Sequence, residues 1–198
     1  MIINLAQRIA RHLLLNGTIE DEDVEVCAYG LFVVISYFLF LSIALLFGFF
    51  FNCIYESLVF MVSFHLIRKF AGGYHASTET KCEIMSTVSI LICVVLIRWL
   101  KDYEYQIALL ILTALSAVLI FLLCPLDTPE KPLSEKEILH FRNVSRIILI
   151  AISTVILISV IIQNTIVMYP TCISLILESI LLITGKFKQF GLKKRNVR

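Results

Sequence analysis

The sequence has little charge and no long polar segment. Only 16% of its 198 residues are charged, whereas 59% are hydrophobic. Soluble domains are typically about 25% charged and about 45–50% apolar. No polar stretch is long enough to supply a core of its own, which excludes a large soluble domain. We therefore expect an integral membrane protein.

The sequence also lacks several motifs. None of its six cysteines forms a C-x-x-C pair, which argues against a structural zinc site or a redox motif. No aromatic–basic module of the kind that binds nucleic acid is present. Residues 1–16 have neither the long apolar run nor the small-residue cleavage site of a signal peptide. We expect no metal, no nucleic-acid partner and no cleaved leader.

What the chain does contain is a series of apolar runs near the roughly 20 residues that cross a bilayer. They predict one all-α membrane domain over residues 1–198, with about six transmembrane helices. The predicted spans are residues 27–51, 53–67, 84–100, 106–124, 147–163 and 165–184. The second span is the weakest, because Glu56 and His65 interrupt it. Four spans plus re-entrant segments are the alternative.

Polar segments flank these spans. Residues 1–26 combine a basic amphipathic helix, which lies on the membrane surface or packs on the rest of the protein, with an acidic helix start. Residues 185–198 form a basic tail. With the N-terminus in the cytoplasm, fifteen of the seventeen Lys and Arg residues lie inside, and only Arg98 and Lys101 lie outside. The positive-inside rule thus predicts cytoplasmic termini.

The polar stretch of residues 68–83, also on the cytoplasmic side, is the candidate catalytic loop. It places His75 seven residues before Cys82. On one continuous helix these side chains would lie about 10.5 Å apart along the axis, too far for a hydrogen bond. We therefore expect Gly72 and Gly73 to break the helix, so that His75 folds back over Cys82.

The surroundings of Cys82 favour a thiolate. Thr80 and Glu83 fit a capping box, which would make Cys82 the second residue of the next helix. There the helix dipole and the neighbouring Lys81 would stabilise an anion. Spacing alone does not distinguish a catalytic pair from unrelated polar residues at an interface.

The stretch RKFAGGYHA at residues 68–76, followed by Cys82, resembles the signature of the accessory gene regulator protein B (AgrB) family. Supporting stretches are IAR at 9–11, EVCAYGL at 25–31 and CPLDTPEKPL at 124–133. The resemblance covers most of the chain. It implies a membrane-embedded cysteine endopeptidase in the cell membrane of a Gram-positive bacterium, acting on a short AgrD-like quorum-sensing propeptide with an acidic C-terminal tail.

In the implied mechanism Cys82 attacks the carbonyl at the cleavage site and His75 activates the thiol, without a cofactor. An internal nucleophile of the peptide then displaces Cys82 and closes a thiolactone or lactone ring. A homodimer is also compatible with the sequence. The candidate substrate-binding and oxyanion residues are Arg68, Lys69, Gly72, Gly73, Lys81 and Lys131.

The competing hypothesis is a non-enzymatic membrane protein. It could transport or export the signalling peptide, or sense it, with the loop of His75 and Cys82 serving only a structural purpose. In the sixth span, Glu178 is costly in lipid and should face the protein interior. The sequence does not identify its partner.

Overall fold

A computed structural model describes residues 2–74, 76, 78–101, 105–126 and 134–196 of the chain. This part is built of helices and contains no strand, which confirms the all-α prediction. A short 3-10 helix, Asp21–Asp23, precedes α2. The α-helices are α1 (Ile2–Leu15), α2 (Val24–Phe50), α3 (Ile54–Ala71), α4 (Glu79–Leu100), α5 (Gln106–Leu123), α6 (Glu135–Ile161) and α7 (Thr165–Asn196).

Five segments are long and apolar enough to cross a membrane. They are Asp21–Phe50, Thr80–Leu100, Gln106–Leu123, Glu135–Ile161 and Thr165–Phe190. The remaining predicted span is α3, an unbroken helix of 18 residues, about 27 Å long. Its charges, Glu56, Arg68 and Lys69, lie near its two ends. A re-entrant segment would need a turn in the middle, and α3 has none.

Contacts between helix ends show that the helices alternate in direction. At the end that we call the Gly72 end, the backbone of Gly72 pairs with that of Leu126, just beyond α5. At the opposite end, the Lys101 end, Lys101 after α4 forms an ion pair with Glu56 in the first turn of α3. Each of α3, α4 and α5 therefore runs from one end to the other.

The centre of the bundle is formed by α3 and α7. Of the apolar window in α7, 61% is buried inside the protein, against 6% for α2, so α7 is central and α2 peripheral. Between membrane helices, close packing and polar contacts replace the hydrophobic effect as the source of association. Accordingly, the Ser179 hydroxyl of α7 donates to the Ser116 hydroxyl of α5 over 3.1 Å.

The N-terminal helix packs on α2. Its inner face carries Ile2, Ala6 and Ala10, all buried, whereas Leu5 is half-exposed on the outer face. Of the two placements predicted for this helix, the structure shows the one in which it packs on the rest of the protein. The acidic residues that follow, Asp21–Asp23, are exposed and form the 3-10 helix that leads into α2, as expected from their preference for helix N-termini.

Two helices extend well beyond the predicted spans. Ser134 and Glu137 form a capping box, so α6 begins twelve residues before the apolar run at 147. The basic tail from residue 185 continues α7 up to Asn196. Hydropathy marks the part of a helix that suits lipid, whereas caps and backbone bonds decide where the helix begins and ends.

Candidate active site

The glycine pair ends α3, as predicted. Gly72 has φ +79° and ψ −147°, a conformation that is essentially restricted to glycine. Its N–H donates to the Arg68 carbonyl over 3.2 Å and closes the last turn of the helix. Gly73 also has a positive φ, +132°. The chain therefore leaves α3 sharply and crosses the Gly72 end of the bundle before it enters α4.

The Arg68 side chain binds the backbone of the segment between α3 and α4, residues 72–78, which we call the Gly72 loop. One guanidinium nitrogen donates to the Gly72 carbonyl over 2.6 Å, and the other donates to the Tyr74 carbonyl over 2.7 Å. The guanidinium also lies 3.7 Å from the carboxylate of Glu178 in α7. Arg68 is thus the partner of Glu178 that the sequence could not identify. Because both arms of its planar fork bind loop carbonyls, Arg68 organises the loop backbone, and its role in substrate binding stays a prediction.

Two other segments complete the support of the loop. The Tyr74 N–H donates to the Leu181 carbonyl of α7 over 2.9 Å, and the Leu126 N–H donates to the Ala71 carbonyl over 2.9 Å. Beneath the loop, Gly185 leaves no room for a side chain: a Cβ there would lie 2.9 Å from the backbone nitrogen of Tyr74. The loop after α3, the segment after α5 and the C-terminal half of α7 therefore contact one another at the Gly72 end.

Cys82 lies in the first turn of α4, but two positions further along than predicted. Thr78 is the N-cap: it has an extended backbone, and its hydroxyl accepts from the Lys81 N–H over 3.4 Å. The predicted capping box of Thr80 and Glu83 is therefore wrong, because Thr78 takes the cap and both residues are already helical. Cys82 becomes the fourth helical residue, and its own N–H donates to the Thr78 carbonyl over 3.0 Å.

Exposure separates Cys82 from most other cysteines. Cys82 and Cys27 are half-buried, whereas the rest are buried; the buried ones are Cys53, Cys93, Cys124 and Cys172. Cys124 donates to or accepts from the Ser145 hydroxyl over 2.6 Å, and burial raises the pKa of its thiol. A buried thiol of raised pKa is a poor nucleophile. Of the two half-buried thiols, Cys82 is the one that follows the Gly72 loop.

The remaining predicted site residues differ in exposure and in backbone contacts. Lys69 and Lys81 are exposed at the Gly72 end. The Gly72 N–H is already bound within α3 and is not available to an oxyanion, so that part of the prediction is wrong. Gly73 is buried against the Arg68 guanidinium, which occupies the place of a side chain. Two predicted site residues lie outside the described residues, namely His75 and Lys131.

Sequence reasoning missed the contribution of α7. An acidic residue in an apolar span was the available signal at Glu178, but its partner Arg68 lies 110 positions earlier. Gly185 carried no signal, because a glycine in a helix reveals nothing about what crosses over it.

Comparison with known proteins bears on the same regions. The family described as Accessory gene regulator B matches residues 5–182. A protein of Clostridium perfringens (strain 13 / Type A) named as AgrB-like is 24% identical over 143 residues, which cover 69% of this chain and 66% of that protein. Accessory gene regulator protein B of Staphylococcus intermedius is 27% identical over 107 residues, covering 52% of this chain and 54% of its own length.

No solved structure matches the chain. The matched stretches span somewhat less than two thirds of the length of these relatives. The family match, in contrast, covers most of the chain, including the Gly72 loop, Cys82 and the buried Glu178. The chain belongs to the accessory gene regulator B family, which serves accessory gene regulator quorum sensing.

Proposed function

We propose that the chain is a membrane-embedded cysteine endopeptidase that processes a quorum-sensing propeptide, with Cys82 as nucleophile and His75 as general base. The observation that carries the proposal is the fixed backbone on both sides of His75. Arg68 and Leu181 hold Tyr74, the residue just before it. Thr78 then caps the helix whose first turn contains the half-buried Cys82.

The proposed reaction has two acyl transfers. The Cys82 thiolate attacks the scissile carbonyl carbon, a C–S bond forms, and the C–N bond breaks as His75 gives its proton to the leaving amine. The C-terminal piece departs and the rest of the peptide remains as a thioester. An internal thiol of the peptide gives its proton to His75 and attacks this thioester; the new C–S bond closes the thiolactone as the bond to Cys82 breaks and returns the Cys82 thiolate. Thioester exchange preserves the activated acyl group, so the scheme requires neither ATP nor metal.

The charge distribution supports a cytoplasmic site. If the Gly72 end faces the cytoplasm, the exposed Lys69 and Lys81 lie where a newly made peptide on the inner leaflet can reach them. An acidic C-terminal tail would be drawn to this basic surface, and Lys131 remains a further candidate for binding it. Of the two basic residues assigned to the other side, Lys101 is neutralised by Glu56.

The position of Cys82 in the first turn of a helix allows an experiment with an internal control. Cys82→Ala should remain in the membrane at normal abundance and lose cleavage of the co-expressed propeptide. Cys27 is the matched control, because it is also half-buried and lies in the first turn of a helix. Cys27→Ala should process normally. Cleavage by Cys82→Ala would exclude the mechanism and favour the exporter or sensor.

A further inference from the structure

Glu178 is a carboxylate inside the protein, next to the last turn of α3. It is completely buried in α7, and neither of its oxygens has a hydrogen-bond partner among the described residues. The facing cation is Arg68, 3.7 Å away. Burying a charge is costly unless another charge or hydrogen bonds compensate it. Ionisable residues within membrane spans commonly have a function.

The Arg68 guanidinium contacts both Glu178 and the loop, because the nitrogen 3.7 Å from the Glu178 carboxylate is the one that donates to the Gly72 carbonyl. Its two arms bind the carbonyls of Gly72 and Tyr74, on either side of Gly73. The guanidinium is planar and delocalised, so the placement of one edge fixes the direction of the other donors. A Cβ at Gly73 would collide with the guanidinium, which shows how closely the two fit. The carboxylate, the guanidinium and the loop backbone form one continuous chain of contacts.

We propose that Glu178 is a positioning residue for Cys82 and His75, acting through Arg68. The inference rests on the proposed function of these two residues. Glu178 attracts the guanidinium toward α7, and the guanidinium holds the Tyr74 carbonyl, which belongs to the peptide bond between Tyr74 and His75. Without the carboxylate, the guanidinium loses its fixed direction, and the backbone just before His75 loses its anchor.

A second ion pair in the same molecule supplies the matched control. Glu56 is also a buried acid on a membrane helix and also forms an ion pair with a cation, Lys101. It lies at the Lys101 end, away from the Gly72 loop. Glu56→Gln therefore removes a carboxylate from a comparable environment without touching the proposed chain of contacts, and general effects of losing a buried charge appear in both variants.

The test measures alkylation by iodoacetamide in the full-length protein in membranes, as the ratio of modified Cys82 to modified Cys27 at neutral pH. The ratio needs no substrate and corrects for protein amount. Glu178→Gln should lower it about tenfold, toward the value of His75→Ala, because the thiol loses its oriented base. Glu56→Gln should leave it unchanged.

Charge and shape are separated by a third variant. Gln has the shape of Glu without the charge, whereas Asp has the charge on a shorter side chain. A positioning role through Arg68 predicts that Glu178→Asp keeps a higher ratio than Glu178→Gln. The opposite order would show that Glu178 only fills space and would overturn the inference.

Two further outcomes are decisive. If Glu178→Gln does not accumulate, the double variant Arg68→Gln with Glu178→Gln leaves no unpaired buried charge. A wild-type ratio there overturns the inference, and a tenfold loss supports it.

The variant His75→Ala distinguishes a failure of the proposed function from a failure of the role of Glu178. If His75→Ala leaves the ratio unchanged, the proposed pair of catalytic residues fails. If His75→Ala lowers it and Glu178→Gln does not, only the role of Glu178 fails.

Discussion

Gly185 tests whether α7 supports the loop. A Cβ at this position would lie 2.9 Å from the Tyr74 nitrogen and 3.1 Å from the Gly73 carbonyl carbon, whereas ordinary contacts begin at 3.4 Å. In Gly185→Ala the loop must therefore retreat by about 0.5 Å. The hydrogen bond from Tyr74 to Leu181, now 2.9 Å, lengthens by a similar amount.

The expected effect on activity exceeds the effect on stability. Replacing a helical glycine by alanine stabilises a helix by about 1 kcal/mol, while overpacking costs about 1–3 kcal/mol. The free energy of unfolding of Gly185→Ala should thus fall by about 0–2 kcal/mol. Misplacing reactive groups by about 1 Å can cost about a hundredfold in rate, so we expect a loss of propeptide cleavage of about tenfold or more.

Two other glycines serve as controls. Gly30 is helical and has nothing within 4 Å of a Cβ, so Gly30→Ala should be active and no less stable. Gly48 is packed against Ser57, with a Cβ contact of 2.9 Å, but lies at the Lys101 end. Gly48→Ala should lower the melting temperature in detergent without lowering activity per folded molecule. Equal activity losses in Gly48→Ala and Gly185→Ala would refute the reasoning, because tight packing alone would then explain both.

Three further substitutions test other contacts in the structure. Gly72→Ala forces an unfavourable backbone conformation costing about 1–3 kcal/mol and places a Cβ 2.8 Å from a carbonyl of the segment after α5; propeptide cleavage should be lost, and wild-type cleavage would contradict the loop geometry. Thr78→Ala removes the N-cap and should cost about 1 kcal/mol, seen as faster amide exchange in the first turn of α4 only; unchanged exchange there would argue against the cap. Glu56→Ala leaves Lys101 without its carboxylate, and since that lysine side chain is 30% exposed, we expect about 1–3 kcal/mol of destabilisation, measured as a lower melting temperature with unchanged activity per folded molecule.

The fold was largely predictable because lipid imposes a simple rule. Backbone groups in a bilayer must be satisfied within the segment, so apolar runs of sufficient length become helices. The weak second span shows where the rule loses power. The charges of α3 lower its hydropathy, yet Glu56 is paired with Lys101 after α4 and Arg68 with Glu178 of α7. Such compensation depends on tertiary contacts, and hydropathy does not contain them.

The site was predictable only in part. The helix break at Gly72 and Gly73 followed from the distance that His75 and Cys82 must cover. The position of the N-cap did not, because two threonines compete for it and the extended backbone of Thr78 decides. The role of Arg68 was equally hidden: a basic residue beside a membrane span usually marks the cytoplasmic side, and only the folded chain shows its side chain turned inward to the loop carbonyls.

The most direct measurement of the central claim is a search for the acyl group on Cys82. The full-length protein is co-expressed with its propeptide, in which the internal cysteine is replaced by alanine so that ring closure cannot remove the thioester. The account predicts an adduct with the mass of the N-terminal part of the propeptide on the fragment containing Cys82, released by hydroxylamine and absent from Cys82→Ala. An adduct on Cys27 instead, or cleaved propeptide without any adduct on Cys82, would contradict it.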